Sequence, residues 1–429
     1  MLDAKLIRQD PDAIRAALSA RGKPAETDAA VDRVVALDAE RRAAIAEGDA
    51  LKARRNAVSQ EVGERKRRRE DADDLIAEMR QVNDRIRELD GRLRDLEGEL
   101  DGVLLRLPNP TDPSVPRGGE EANTVVRTWG ERRTFDFQPR PHWELGAELG
   151  LLDLPAGAKV AGSGFPLYTG MGARLQRALV NFFLDLHTRE HGYTEVEPPF
   201  LVTRESMQGT GQYPKFVEDG DAYGLAEDEL FLIPTSEVPL VNILRDEMLE
   251  AARLPLALTA YSPCFRREAG SAGKDTRGLL RVHQFGKVEL VRIERPEDSW
   301  DALERLTGQA ERVLQLLELP YRVLLLAAGD TGFSSARTYD LEVWAPGVDR
   351  WLEVSSASNC LDFQARRANI RYRPEPGAKP EFVHTLNASG VALPRTVVAL
   401  LENGQQEDGS VRIPQALRPY LGTDRLVRS

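Results

Sequence analysis

The sequence contains few cysteines, few aromatic residues and no long hydrophobic run. Only Cys264 and Cys360 occur in 429 residues, and they form no C-x-x-C pair, which argues against a disulfide framework or a cysteine-based zinc site. A reducing compartment, the cytoplasm, is expected. The longest apolar run, Val323 to Ala328, is far shorter than the roughly 20 residues of a membrane-spanning helix, so no membrane partner is expected.

The charge balance limits the kind of partner. Lys and Arg number 58 against 69 Asp and Glu, for a net charge of −11, which argues against a protein that coats nucleic acid by its bulk charge. With 41% hydrophobic residues, the chain can bury a sizeable core, and its length predicts more than one domain.

A 3.5-residue apolar repeat dominates the first quarter of the chain and predicts an antiparallel helical hairpin, a coiled coil, over about residues 30–107. The returning arm carries the stronger repeat: Leu75, Met79, Val82, Ile86, Leu89, Leu93, Leu96, Leu100, Val103 and Leu107. The outgoing arm is weaker: Val34, Leu37, Arg41, Ala44, Gly48, Leu51, Arg55, Val58 and Val62. Residues 63–74 are predicted to connect the arms, with Asp73 or Asp74 as the N-cap of the second helix.

The pattern changes after a segment rich in Pro and Gly. We predict an N-terminal domain over 1–107, a linker over 108–128 and a second domain over 129–429. Short apolar or alternating runs, without a helix between each pair, predict an α+β domain with a central antiparallel sheet flanked by helices. Neither G-x-G-x-x-G after a strand nor G-x-x-x-x-G-K-[ST] is present.

Two polar segments stand out in the second domain. Thr235-Ser236-Glu237 follows the apolar run LFLIP and presents a hydroxyl and a carboxylate suited to an ammonium group, although the same pattern also caps helices. The segments 265–268 (FRRE) and 281–285 (RVHQF) predict two strands whose arginines clamp a polyphosphate beside an aromatic ring; a basic hairpin on a solvated face is the alternative.

Two further segments carry candidate ligands. Glu289 and Glu353 stand within predicted strands, and Glu353 with Ser356 offers oxygen ligands for Mg²⁺, whereas a structural carboxylate held by backbone donors is the alternative. Asn387-Ala388-Ser389-Gly390 leads into an apolar helix from Val391 to Leu401, in which Arg395 serves either a site or a surface salt bridge.

In this order, the segments resemble those of the bacterial-type seryl-tRNA synthetases, a family of class II aminoacyl-tRNA synthetases. GYTEVEPP (192–199) is similar to the first class motif, FRRE with RVHQF to the second, and GVALPR (390–395) to the third. The seryl branch is indicated by Thr235-Ser236-Glu237, HQFGKVEL, EVSSASNC and the long hairpin. The resemblance covers almost the whole chain.

The resemblance implies a ligase that activates L-serine with ATP and Mg²⁺ and transfers it to the 3′ end of tRNA(Ser); it leaves charging of tRNA(Sec) open. It implies Arg266 and Arg395 as catalytic residues and a homodimer. The implied serine-binding residues are Thr235, Ser236, Glu237, Glu289 and Ser389. The implied ATP-binding residues are Arg266, Arg267, Glu268, Arg281, Val282, Phe285, Glu353, Val354, Ser355, Ser356 and Arg395, with Glu353 and Ser356 as metal ligands.

The hairpin explains how an acidic protein would bind tRNA. Residues 51–69 contain eight Lys or Arg against two Glu. In the family this arm recognises the long variable arm of the tRNA, mostly by shape and backbone contacts. The residues that we predict for this contact are Arg54, Arg55, Arg65, Lys66, Arg67, Arg68 and Arg69.

Two other functions compete with this interpretation. A synthetase-like ligase that loads a carrier protein would lack the hairpin. A coiled-coil scaffold with an inactive second domain would be expected to have lost some of Arg266, Glu289, Glu353 and Arg395, all of which are present.

Overall fold

The computed structural model describes residues 1–22, 24–271 and 277–428. The chain divides into two compact units, one of Leu2–Ser19 with Lys23–Pro108, the other of Met1, Ala20–Gly22 and Asn109–Ser429. Residues 272–276 of the predicted loop between FRRE and RVHQF lie outside the described residues. Among the described residues, none of the helices combines the length and apolar content that crossing a membrane requires.

The first unit is helical: α1 (Ala4–Gln9), α2 (Pro11–Ser19), α3 (Pro24–Arg67) and α4 (Asp73–Leu104). The predicted hairpin is confirmed, but α3 continues to Arg67, well into the predicted connection. The N-cap prediction was wrong: Ala72 is the N-cap of α4, and Asp73 and Asp74 lie in its first turn. Carboxylates in a first turn still complement the positive end of the helix dipole.

Ion pairs across the hairpin follow the heptad spacing. Their partners advance by seven residues along α3 and recede by seven along α4: Arg33–Glu99, Glu40–Arg92, Glu47–Arg85 and Arg54–Glu78. These exposed pairs add little stability individually, yet they are consistent with only one antiparallel register. Most predicted seam residues are buried, among them Leu37, Val58 and Leu89.

The second unit contains α5 (His142–Glu148), α6 (Leu154–Ala161), α7 (Gly170–Arg189), α8 (Arg204–Thr210), α9 (Lys215–Glu218), α10 (Glu237–Asn242), α11 (Ser299–Leu316), α12 (Phe363–Ala368), α13 (Leu393–Gly404) and α14 (Arg418–Leu421). Its longer strands are β1 (Thr124–Trp129), β7 (Leu256–Phe265), β8 (Gln284–Glu294), β9 (Tyr321–Leu325), β10 (Arg337–Ala345), β11 (Arg350–Asn359) and β14 (His384–Ala392). Its short strands are β2 (Thr194–Glu195), β3 (Leu201–Thr203), β4 (Gly224–Leu225), β5 (Leu230–Leu232), β6 (Met248–Glu250), β12 (Arg371–Arg373), β13 (Glu381–Phe382), β15 (Val411–Arg412) and β16 (Arg425–Leu426).

An eight-stranded sheet forms the centre of this unit, in the order β1-β9-β10-β11-β14-β8-β7-β2. Neighbouring strands are antiparallel, as predicted, except that β2 runs parallel to β7 at one edge. Helices α7, α11 and α13 contribute apolar faces to the main core, where Phe183, Leu306 and Val398 are fully buried. Strand β1 begins at Thr124, so the segment predicted as a linker supplies an edge strand of the sheet.

A buried histidine and a buried carboxylate join three segments beside the sheet. Glu402 of α13 accepts hydrogen bonds from the backbone N of His142, Gly347 and Val348 at 2.8–3.1 Å and pairs with His142 Nδ1 at 2.8 Å. The other ring nitrogen of His142 accepts from the backbone N of Leu279 at 3.0 Å, so Nδ1 carries the proton. A Cβ at Gly278 would come within 2.2 Å of that ring. This network fixes the segment that leads into Arg281.

Replacing Glu402 with Ala should destabilise the second unit by about 3–5 kcal/mol, because three backbone N–H groups and a buried imidazole would lose their acceptor. The measurement is the unfolding midpoint in denaturant. Glu407→Ala is the matched control: this exposed carboxylate lies five residues further on, and its loss should change stability by less than about 0.5 kcal/mol. Equal midpoints for the two variants would contradict the role given to Glu402.

Candidate active site

A cavity of about 320 Å³ lies at the sheet and collects most of the predicted site residues. It is lined by these predicted residues: Thr235, Glu237, Arg266, Glu268, Arg281, Val282, Phe285, Glu353, Val354, Ser356, Ser389 and Arg395. They come from segments up to 160 positions apart, which adjacent antiparallel strands bring together. A basic hairpin on a solvated face does not describe Arg266 and Arg281, which line this cavity, whereas Arg395 lines the cavity and also forms an ion pair with Glu353.

The arginines form one side of the cavity. Arg266 lies with its guanidinium 5.4 Å from the ring centre of Phe285 and donates to the carbonyl of Pro234 at 3.3 Å. Arg281 is paired with Glu268, and Arg395 donates to the carbonyls of Leu280 and Glu353. Three guanidinium groups facing one cavity make a site for a polyanion beside an aromatic ring.

Arg266 and Arg281 were predicted to lie on strands, but they lie outside them. β7 ends at Phe265 and β8 begins at Gln284, so Arg266 and Arg281 lie in the connection and not within the strands. Irregular backbone lets both side chains turn toward the cavity, whereas strand residues alternate between faces. The predicted helix from Val391 also begins later, at Leu393, because β14 continues to Ala392.

A buried cluster of charges forms the opposite side. Lys287 donates to Thr235 Oγ1 at 2.8 Å and is paired with Glu289, and Thr235 Oγ1 also lies 3.2 Å from Glu289 Oε2. Glu289 has no exposed surface, and its Oε1 has no hydrogen-bond partner among the described residues. With Glu237 nearby, the cluster holds two carboxylates and one ammonium. A further cation would satisfy the unpartnered oxygen and balance the charge.

The pKa of Glu237 is shifted by its position in this cluster. Burial, together with the neighbouring charge of Glu289, raises the pKa of Glu237 from 4.5 to about 7, although Gln364 donates to its carboxylate at 2.6 Å. A carboxyl group in a cavity with a pKa near neutral pH is typical of a functional site. Thr235 Oγ1 accepts from the backbone N of Glu237 at 3.2 Å, but the N-cap of α10 is Ser236, whose side chain makes no capping hydrogen bond.

Several predicted residues do not line the cavity with their side chains. The hydroxyl of Ser236 faces Ser262, and Arg267 reaches the carbonyl of Ala222 and stacks on the ring of Tyr223. In this structure the side chains of Ser236 and Arg267 therefore make contacts outside the cavity. Ser355 donates to the carbonyl of Ser389, which makes it a support for that residue.

The predicted magnesium ligands Glu353 and Ser356 lie on β11 at the cavity. Glu353 is exposed toward the cavity and lies 3.2 Å from Arg395, and Ser356 pairs in register with Asp340 of β10. Burial and the charge of Glu353 raise the pKa of Asp340 well above its ordinary value, opposed by a hydrogen bond with Ser356, and Asp340 Oδ1 has no partner among the described residues. An unpartnered carboxylate oxygen near Glu353 fits a divalent cation.

The described residues contain no cluster of three His, Cys, Asp or Glu side chains that could enclose a metal ion. Any divalent ion at Glu353 would therefore take further oxygen ligands from its substrate, as Mg²⁺ commonly does.

Sequence reasoning gave no role to Gln212 and Lys287, which line the cavity, or to Asp340, which lies beside Ser356, and it named Asn387 without a role. A signal for Lys287 was available, since it stands two positions from both Phe285 and Glu289 and shares their strand face. Asp340 could not be found from local pattern, because only the pairing of β10 with β11 places it beside Ser356.

Comparisons with known proteins identify relatives over the whole chain. Residues 1–111 match the seryl-tRNA synthetase N-terminal domain, and residues 223–404 match the class II core domain of the synthetases for G, H, P, S and T. The chain is 58% identical over 422 residues to a serine–tRNA ligase of Gemmatimonas aurantiaca, covering 98% of this chain and 99% of the relative. A serine–tRNA ligase of Geobacillus thermodenitrificans is 59% identical over the full length of both chains.

Solved structures show the same correspondence. The crystal structure of seryl-tRNA synthetase from Pyrococcus horikoshii complexed with ATP superposes with a TM-score of 0.95, at 41% identity and over 100% of both chains. Cytoplasmic serine–tRNA ligase from Naegleria fowleri in complex with AMP gives 0.89 at 29% identity, over 100% of this chain and 99% of the other.

Glu237→Gln should stabilise the protein at high pH. The folded protein retains a proton on Glu237 that the unfolded chain loses between pH 4.5 and about 7, so the stabilisation from that proton is complete below pH 4.5 and disappears as the pH rises through 7. The variant avoids this loss and should exceed the wild type by about 3 kcal/mol at pH 8, and by less than about 1 kcal/mol at pH 5.

The measurement is denaturant unfolding at both pH values. Glu407→Gln, at an exposed site, should differ little from the wild type at either pH. A Glu237→Gln difference that does not grow with pH would show that Glu237 titrates near its ordinary value.

Proposed function

The chain belongs to the seryl-tRNA synthetase family of class II aminoacyl-tRNA ligases, and on that premise we propose which of its residues carry out the reaction. The enzyme activates serine with ATP and transfers the seryl group to tRNA. One observation gives this residue assignment its main support. A buried cluster with two carboxylates and one ammonium group lies in the same cavity as three guanidinium groups.

Serine binds at the buried cluster. Its ammonium group supplies the missing positive charge and contacts Glu289 Oε1, with Thr235 and Glu237 as further acceptors. Ser389 lies on β14 opposite Glu289. Its hydroxyl forms a hydrogen bond with the hydroxyl of the bound serine. A pocket built for a small hydroxyl discriminates against alanine, because its polar groups would be left unpaired.

ATP binds at the arginine side. The base stacks on Phe285, whose other side is close to the guanidinium of Arg266, and Glu268 accepts from the adenine amino group. Arg281 contacts the outer phosphates in place of its present partner Glu268, and Arg395 lies across the other face of the adenine and the γ-phosphate. Val282 and Val354 line the nucleotide through their backbone, and Ser355 supports the site from behind.

Activation proceeds by in-line displacement. A serine carboxylate oxygen forms a bond to the α-phosphorus, the bond from that phosphorus to the bridging oxygen breaks, and pyrophosphate leaves. Arg266 and Arg395 neutralise the charge that develops on the phosphoryl oxygens, and no side-chain nucleophile is needed. In the transfer step a ribose hydroxyl oxygen bonds the seryl carbonyl carbon, the acyl–phosphate bond breaks, and AMP and one proton are released.

Glu353 and Ser356, with Asp340 behind them, would hold Mg²⁺. The ion, when bound, supplies positive charge to the phosphates of ATP. The protein residues that do so without it are Arg266, Arg281 and Arg395.

The hairpin is the proposed contact for the variable arm of tRNA(Ser). Arg54 and Arg65 form ion pairs with Glu78 and Asp74, which fix the side chains and reduce their free charge. Lys66, Arg67, Arg68 and Arg69 are exposed around the end of α3. We assign the principal phosphate contacts to these four residues, and a lesser part to Arg54, Arg55 and Arg65.

We also propose that the protein is a homodimer and that it is cytoplasmic. The likeness of residues 192–199 to the first class motif supports a homodimer. Cys264 and Cys360 are both free and buried, which supports a reducing compartment and hence the cytoplasm.

Glu289→Gln should reduce kcat/KM for serine in ATP–pyrophosphate exchange by at least roughly 100-fold, since it removes a buried charge that faces the ammonium group, and Glu289→Ala should abolish exchange. Glu294→Gln is the matched control, because Glu294 is buried on the same strand and pairs with Arg292. Near-normal exchange by Glu289→Ala would remove Glu289 from the serine site.

The combined substitution of Arg67, Arg68 and Arg69 by Ala should raise KM for tRNA(Ser) and leave pyrophosphate exchange unchanged. The slope of log affinity against log salt should fall by roughly 2 to 3, as expected for three lost phosphate contacts. Replacing Arg204, Arg253 and Arg425 in the second unit removes equal charge and should not change that slope.

Deletion of residues 29–106 should abolish charging and spare adenylate formation. Charging of tRNA(Sec), the alternative acceptor, is measured alongside. Full charging by the deleted protein would refute the role of the hairpin.

A further inference from the structure

Arg267 follows directly after a residue that lines the cavity, yet its own contacts all lie with one segment outside it. Its Nε donates to the carbonyl of Ala222 at 3.0 Å, and its guanidinium lies 4.4 Å from the centre of the Tyr223 ring. Its backbone N donates to the carbonyl of Asp221 at 2.8 Å. Arg267 therefore contacts three successive residues.

The carboxylate of Asp221 adds a contact on the other side of Glu268. Its Oδ1 accepts from the backbone N of Ala269 at 2.7 Å. Segment 221–223 thus binds the backbone N–H of the residue before Glu268 and that of the residue after it. We call the contacts of this segment with Arg267 and Ala269 the clamp.

The clamp holds Glu268 in an uncommon backbone conformation. The φ angle of Glu268 is +53°, in the left-handed region that residues other than Gly rarely adopt. Such a conformation persists only where the surrounding contacts determine it. With the residues on both sides fixed, the carboxylate of Glu268 is directed into the cavity, where it pairs with Arg281.

The segment that forms the clamp is attached to a small sheet. The backbone N of Leu232 donates to the carbonyl of Tyr223 at 2.9 Å, and β4, which follows Tyr223, pairs with β5. β5 also pairs with β3. Regular hydrogen bonding therefore fixes the segment, and a fixed segment can position another loop.

The clamp has its largest effect when nucleotide is bound. In the proposed function Arg281 leaves Glu268 for the outer phosphates, so that Glu268 loses this ion pair. The contacts of the clamp do not involve Arg281 and therefore remain. They hold the carboxylate in place at the step where it accepts from adenine.

We propose that Arg267 and Asp221 are positioning residues that determine the preference of the site for adenine over a purine without the amino group. They fix the backbone of Glu268 and so keep its carboxylate where the amino group donates to it. Removing either side chain lets the φ angle of Glu268 return to the common negative range, which turns the carboxylate away. This inference rests on the proposed function and adds residues that determine specificity without touching the nucleotide.

The test compares ATP with purine riboside triphosphate, which is ATP without its amino group. Serine-dependent pyrophosphate exchange gives kcat/KM for each nucleotide, and the quotient of the two values is the discrimination ratio. A variant that only loses folded enzyme loses both rates equally and keeps the wild-type ratio, so the ratio separates positioning from a general structural effect.

Arg267→Ala and Asp221→Ala remove the two side chains of the clamp, whereas Asp221→Asn keeps an oxygen that accepts from the backbone N of Ala269. Arg133→Ala is the matched control. Arg133 is an exposed arginine of the same unit that donates to two backbone carbonyls and lies 4.5 Å from the ring centre of Phe135, and it does not line the cavity.

We expect Arg267→Ala and Asp221→Ala each to lower the discrimination ratio by roughly tenfold, the size of one hydrogen bond to a charged group, through a higher KM for ATP. Asp221→Asn and Arg133→Ala should keep the wild-type ratio. A wild-type ratio in Arg267→Ala or in Asp221→Ala would overturn the proposal.

Failure of the proposed function gives different results. Absence of serine-dependent exchange in the wild type would overturn the proposed activity. Equal kcat/KM for the two nucleotides in the wild type would overturn the contact of Glu268 with the adenine amino group, and the role of the clamp with it.

Discussion

The site depends on a buried imbalance of charge. Lys287 offers one ammonium group to two carboxylates, and one oxygen of Glu289 has no partner among the described residues. Leaving that oxygen unpaired costs folding free energy, as does holding Glu237 at a pKa of about 7. An ammonium group at Glu289 Oε1 would offset both costs, and for this reason we assign the amino group of the substrate to this cluster.

The antiparallel sheet places this charged cluster beside the other side chains of the cavity. β8 carries Phe285, Lys287 and Glu289 along one face, so a single strand links the two sides that we propose for the nucleotide and for the amino acid. β14 pairs with β8 and carries Ser389, and the pairing becomes irregular between Ser389 and Ala392. That irregularity precedes α13, whose Arg395 faces the cavity.

Rigid support lies outside the cavity, at two polar centres, of which the first is fully buried and the second half-buried. His142 and Glu402 hold the segment before Arg281, and Arg21 donates to the carbonyls of Thr331, Gly332 and Ser335 in another loop. In both cases one side chain satisfies several backbone groups, which is why a loop can be as well positioned as a strand.

Local pattern in the sequence determined the hairpin, the α+β class and most of the cavity residues, because heptad spacing, strand alternation and charged segments are properties of neighbouring positions. The arrangement of Arg266 and Arg281 outside the strands was decided by where β7 and β8 end, and the contacts of Ser236 with Ser262 and of Arg267 with Ala222 were decided by tertiary packing. Asp340 beside Ser356 and the contacts of Arg21 join residues far apart in the chain. Only tertiary structure decides such contacts, since they depend on strand order and on which carbonyl groups remain to be satisfied once the sheet has formed.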